Sequence, residues 1–237
     1  MLPSRTYDQF SHTASRASAS ACMTVGMNSS NAVGQPQASE DQHYSEQIEK
    51  REVIDKIFNK INERMKGPGD PSKAFICDKD IESVWSDESI ATILHLEQYS
   101  SVKFQAIRAG FIKILSILVY TGAHSGLLNF PSLLHHNTPI PTLQDSDLPF
   151  YEHQLDFLEE AASRHSFYKE QFRFIPEVIR VSSSHETVVL DERRPLPFET
   201  VEKKVCIGGY GTVTRVSIPA GYLKQEDGTI WPEVSYY

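Results

Sequence analysis

Apolar positions along this 237-residue chain change their spacing twice, and each change marks an expected boundary. Over residues 1–44 they are sparse among Ser, Ala, Thr, Asn and Gln, too little apolar surface to offset the entropy of ordering, so a disordered tail is expected. From residue 45 onward Ile48, Ile54, Ile57, Phe58, Ile61 and Met65 recur at helical spacing until Gly67-Pro68-Gly69 halts the pattern, which predicts an amphipathic helix. That helix either packs on its successors or forms a coiled-coil seam; sustained heptads are missing. Asp78 is the expected cap of a short helix carrying Ile81, Val84 and Trp85, and Ser86 the start of another with Ile90, Ile93, Leu94 and Leu96. The strongest pattern spans 101–120, with Ala106, Ile107, Phe111, Ile114, Leu115 and Leu118 on one side, and predicts a single central helix ended by Gly122. A further turn or two is expected over 127–134 before Pro139 and Pro141, and a helix over 151–162 with Leu155 and Leu158 inward.

Past Arg164 the period shortens. Phe172 and Phe174 alternate, 178–181 is β-branched and 188–190 is apolar, so strand-like structure is expected to begin here. The most informative stretch follows: Val205-Cys206-Ile207-Gly208-Gly209-Tyr210-Gly211-Thr212-Val213. Glycines let a backbone reach positive φ and bring amides close to a phosphate. A dinucleotide-binding loop or a P-loop leads into a helix, and the P-loop also needs Lys-Ser/Thr after its last glycine. Here the continuation Thr212-Val213-Thr214-Arg215-Val216-Ser217-Ile218 is rich in β-branched residues and lacks a helix cap, predicting strand, glycine loop, strand. A tight hairpin turning on Gly208-Gly209 with no ligand is the alternative.

At these residues the chain resembles the start of a eukaryotic protein kinase domain of a fungal type. In that group a helical region leads through Arg-Arg-x-Leu-Pro-Phe-Glu into the first kinase strand, matched here by Arg193, Arg194, Leu196, Pro197, Phe198 and Glu199, and after the loop by residues 215–223. Asp147-Leu148-Pro149-Phe150 and Phe167-Tyr168-Lys169-Glu170-Gln171-Phe172-Arg173-Phe174 are similar as well. The resemblance implies that Val205 and Val213 sandwich adenine, that the backbone of Gly208, Gly209 and Gly211 covers the phosphates, and that Tyr210 caps the tip, with Ile207 and Thr212 completing the loop. Cys206 stands where the family's first glycine falls, so ATP is expected to bind weakly or not at all, and Mg only through a complete kinase domain. After Val213 the sequence holds no Val-Ala-x-Lys, His-Arg-Asp or Asp-Phe-Gly, so a truncated kinase domain without catalytic residues, inactive alone, is expected.

Composition narrows the partners. A net charge of −8 and a pI near 5.6, with no basic stripe, argue against nucleic acid and anionic membrane surfaces. The apolar run 114–120 is too short to cross a bilayer. Cys22, Cys77 and Cys206 show no metal or disulfide spacing, which suits a reducing, cytoplasmic compartment, and His135-His136 lack further ligands, so no metal is expected. Asp145 and Asp147 read as capping groups at a helix start rather than a catalytic pair, and Phe167, Tyr168, Phe172 and Phe174 as core rather than a base-stacking platform.

The expected architecture is therefore mainly α with a small β portion (α+β): tail 1–44, helical regulatory or interaction domain 45–170, strand-like connection 171–194, and an incomplete kinase amino-terminal lobe 195–237. The alternative function is a non-catalytic helical module that binds a protein partner and carries a vestigial kinase edge.

Overall fold

The computed structural model describes residues 37–67, 69–96, 101–133, 143–181, 190–208, 211–225, 227–232 and 234–236. The chain is mainly α with a small β portion. Its helices are α1 (Gln37–Arg64), α2 (Asp78–Val84), α3 (Asp87–Leu94), α4 (Ser101–Gly110), α5 (Ile112–Thr121), α6 (His124–Leu133) and α7 (Ala161–Glu170); its strands are β1 (Ile179–Val181), β2 (Glu199–Gly208), β3 (Gly211–Ile218), β4 (Leu223–Gln225) and β5 (Val234–Tyr236).

At the centre lies α5, whose Ile112, Ile114, Leu115, Ile117, Leu118 and Val119 are all buried. A helix apolar on every side has to be enclosed, and α1, α2, α6 and α7 all pack against this one. From α1 come Ile54, Ile57 and Ile61, while Phe58 stacks on Tyr120 with ring centroids 6.0 Å apart. Two buried polar groups are fully served. Trp85 Nε1 donates to Ser116 Oγ at 2.9 Å, which in turn donates to the Ile112 carbonyl at 2.7 Å. Gln171 accepts from the Phe150 amide at 2.7 Å and donates to the carbonyls of Phe150 and Tyr168 at 2.8 and 3.0 Å. Buried amides left unpaired would each cost about 1–3 kcal/mol, so this pairing ties the 145–155 segment to the end of α7.

Several expected elements differ. The helix expected from residue 45 begins at Gln37, inside the stretch expected to be a disordered tail. Gln, Ala and Glu are good helix formers, and Glu40 and Asp41 fall near the start of the helix, where acidic residues favour its dipole. The rest of that tail, 1–36, lies outside the described residues. Asp78 is the first residue of α2 rather than its cap, a position held by Cys77, whereas Ser86 caps α3 as expected, exchanging bonds with Ser89.

The single helix expected over 101–120 is two helices bent by 71°. The break falls at Gly110-Phe111, where Phe111 has φ −141 and ψ 3. The amides it frees are met from far along the chain: Lys113 and Ile114 N–H donate to Asp145 Oδ2 and Oδ1, each at 2.9 Å. Asp145 is thus a capping acid, but for α5. Where a helix over 151–162 was expected, a short 3-10 turn at Glu152–Gln154 precedes α7. Leu155 and Leu158 are buried as expected, since their spacing also fits an i to i+3 turn, here closed by Leu158 N to Leu155 O at 2.9 Å.

The strand-like segment expected past Arg164 is helical to Phe174, through α7 and the 3-10 turn Gln171–Phe174. Phe167 and Phe174 are both fully buried and seven residues apart, two helical turns. Strand structure begins only with β1; residues 188 and 189 of the expected apolar run lie outside the described residues.

Among the described residues, two small sheets complete the fold. β1 runs parallel to β4, Ile179 opposite Leu223. β2, β3 and β5 form an antiparallel sheet in that order. A second apolar cluster of Phe75, Cys77, Ile218, Tyr222 and Leu223 joins them to the strap preceding α2, itself pinned by Lys66 and Phe75, whose amides and carbonyls pair at 2.7 and 2.8 Å.

Candidate functional site

The glycine stretch is an antiparallel hairpin. Cys206 pairs with Val213, Ile207 with Thr212 and Gly208 with Gly211, and the chain continues into strand on both sides with no helix after the glycines. Gly209 and Tyr210, the expected tip, lie outside the described residues. The register slips between Thr200, Glu202 and Cys206, so β2 carries extra residues relative to β3. Such bulges increase local twist and bend a strand. β5 pairs with β3 at the end away from the glycines, Ile218 opposite Val234.

The base of the hairpin is held by the helical body. Lys66 Nζ lies 2.8 Å from Glu199 Oε1 at the start of β2 and 3.1 Å from Asp80 Oδ2 in α2. Burial works against the Lys66 charge, but the two carboxylates outweigh it and hold its pKa above the usual lysine value. At the end of β3, Ile218 and then Tyr222 enter the second cluster. Burial, reinforced by the Asp78 charge, pushes the Tyr222 phenol well above the usual tyrosine range, so it stays a neutral donor. Burial likewise pushes the Cys77 thiol up to about 12, which makes it inert packing. From Glu199 to Gly208 is roughly 30 Å of strand at ~3.3 Å per residue, so the glycines are carried far from this anchored base.

Sequence reasoning placed the glycine hairpin but missed its anchors. Lys66, Asp78 and Tyr222 belong to no local motif, and Tyr222 lies 144 positions from Asp78. Of the lysines near the loop, Lys224 sits in β4, paired alongside β1 rather than on the sheet of the hairpin. Among the described residues no group of three or more His, Cys, Asp or Glu side chains is placed to hold a metal, and no single helix is long and apolar enough to cross a membrane.

Compared with family models, with curated proteins and with solved structures, the chain matches none of them.

Proposed function

We propose that this chain is the amino-terminal part of a fungal-type serine/threonine protein kinase, in which a helical body carries the first strands of a nucleotide-binding lobe. The observation that supports it is the β2–β3 hairpin: its glycines close strand on strand, with β5 added as a third antiparallel strand. Phosphate-binding glycine loops that open a helix use the helix terminus as the anion site; a hairpin has only its own amides to offer, which is how a kinase lid works. In this reading Val205 and Val213 hold adenine of ATP, the amides of Gly208, Gly209 and Gly211 cover the phosphates, and Mg enters through the rest of a kinase domain. The chain itself holds no catalytic lysine or aspartate in kinase context, so phosphoryl transfer belongs to the complete domain, inside the cell.

Cys206 is the residue that limits the site. A side chain at the family's first glycine occupies space that a nucleotide approaches, so affinity is low and Cys206→Gly raises it. Equilibrium dialysis with Mg-ATP tests this directly: weak saturable binding by the native chain and tighter binding by Cys206→Gly support the lid. Absence of binding in both overturns it and leaves the second reading, a helical module with a vestigial kinase edge and a protein partner. That reading draws on the extensive core the helical body closes on its own.

A further inference from the structure

Outside the hairpin, a cleft of about 680 Å³ lies between α1, the end of α3 and the start of α6. Clefts of this size suit small organic ligands. One wall is apolar: Ile54 from α1, and Leu127 and Leu128 from α6, the last 66% exposed although it sits on the wall of a cleft. The other end is basic, built from Lys50, His95 and His124.

Two features of that basic end are unusual. Lys50 lies one helical turn after Glu46, the spacing that favours an exposed ion pair, yet its ammonium turns to His95 instead, Nζ to Nε2 3.2 Å. It is half-buried, and burial alone lowers its pKa. His95 caps α3 with φ 52 and ψ 47, the sole non-glycine residue in the left-handed region among the described residues. Glycine would take that conformation without cost, and side chains held there tend to have a task. Two nitrogen bases drawn together at the mouth of an apolar cleft, without a carboxylate bonded to either among the described residues, form a receptor for an anion. Glu46, Arg51 and Asp55 also line the cleft, all three exposed, with Lys50 the half-buried cation among them.

We propose that this cleft binds a small monocarboxylate with an aliphatic body, its carboxylate on the Lys50 ammonium that His95 holds in place and its chain along Ile54, Leu127 and Leu128. The Lys50 ammonium keeps N–H donors beyond the one it gives His95 Nε2 and offers the carboxylate a charge-assisted hydrogen bond, and the exposed leucine wall is covered by the hydrocarbon. This site is independent of the hairpin and stands or falls without it.

The test is calorimetric titration of the full chain with sodium decanoate below its micelle concentration, with 1-decanol as the uncharged counterpart. Saturable one-to-one binding of decanoate is expected, tighter than 1-decanol, with a shift of the His95 ring resonances. Lys50→Met weakens decanoate by about tenfold and leaves 1-decanol unchanged. His95→Gly loses decanoate affinity while holding or raising the melting temperature, which separates loss of the site from loss of the fold. Undetectable decanoate binding, equal binding of decanoate and 1-decanol, or native affinity in both variants would overturn the proposal.

Discussion

Tyr222 and Asp78 are joined twice: the Tyr222 hydroxyl donates to Asp78 Oδ1 at 2.9 Å and accepts from the Asp78 amide at 3.1 Å. One phenol therefore both satisfies an otherwise free amide in the first turn of α2 and holds the β3–β4 corner on the helical body. Tyr222→Phe keeps the ring in its apolar cluster but leaves that amide unpaired, so a loss of about 1–2 kcal/mol is expected in denaturant unfolding. Amide exchange in β4 should quicken in the variant while that in α5 holds. Unchanged exchange in β4 would show that the contact carries no docking energy.

Alkaline pH should loosen the same junction. Tyr222 keeps its proton above the ordinary value of 10.0, chiefly through burial, and Lys66 keeps its proton above 10.5 because Glu199 and Asp80 outweigh the opposing effect of burial. In both cases the folded chain binds protons that the unfolded chain has released, so stability falls as pH rises. The Lys66 contribution is complete below pH 10.5 and is lost through the higher folded value; the Tyr222 penalty begins above pH 10.0. Unfolding measured from pH 8 to about 11 should show a decline that begins near pH 9, where the Cys77 thiol ionises only in the unfolded chain, and steepens above pH 10. Tyr222→Phe should make the decline shallower; an unaltered slope would contradict the assignment.

Asp145 makes a different test, because its two amide bonds lower its pKa while burial raises it by more. The ionised carboxylate is thus a cap that costs something to keep charged. Asp145→Ala removes both bonds at the start of α5 and is expected to cost about 2–3 kcal/mol, whereas Asp145→Asn retains one acceptor oxygen and costs about half as much. The native chain gains stability on acidification from its raised folded value down to the ordinary 3.8, where the asparagine variant gains none. The asparagine variant should therefore be closest to native near neutral pH and fall behind in acid, as thermal melts across that range would record.

Gly126 in α6 sits against the core. A Cβ there would meet Leu158 Cδ2 at 2.4 Å and Leu118 Cδ2 at 2.7 Å, and both leucines are fully buried. Gly126→Ala gains up to ~1 kcal/mol of helix propensity but overpacks the site at ~1–3 kcal/mol, so net destabilisation is expected. A variant more stable than the native chain would show that the leucines have room to move.

What was legible in the sequence was whatever depended on neighbours. The capping exchange at Ser86, the left-handed end of α5 at Gly122 and the strand, glycine, strand order after Val205 all follow from residues a few positions apart. What was not legible depended on distant partners. Nothing near Phe111 signals that Asp145, more than thirty positions on, will cap a second helix and so permit a 71° bend. Phe172 and Phe174 alternate as strand residues do, yet buried Gln171 binds the Phe150 backbone and holds them in a helical turn. Residues 37–44 carry too few apolar side chains to signal an element on their own, and they are helical because an existing helix extends through good helix formers.

The glycine hairpin itself is tested most directly by amide chemical shifts during titration with Mg-ATP, in the native chain and in Cys206→Gly. Saturable shifts are expected at Gly208 and Gly211, larger in the variant, with the amides of α5 unmoved. Shifts absent from both glycines in both chains, or confined to the helical body, would contradict it.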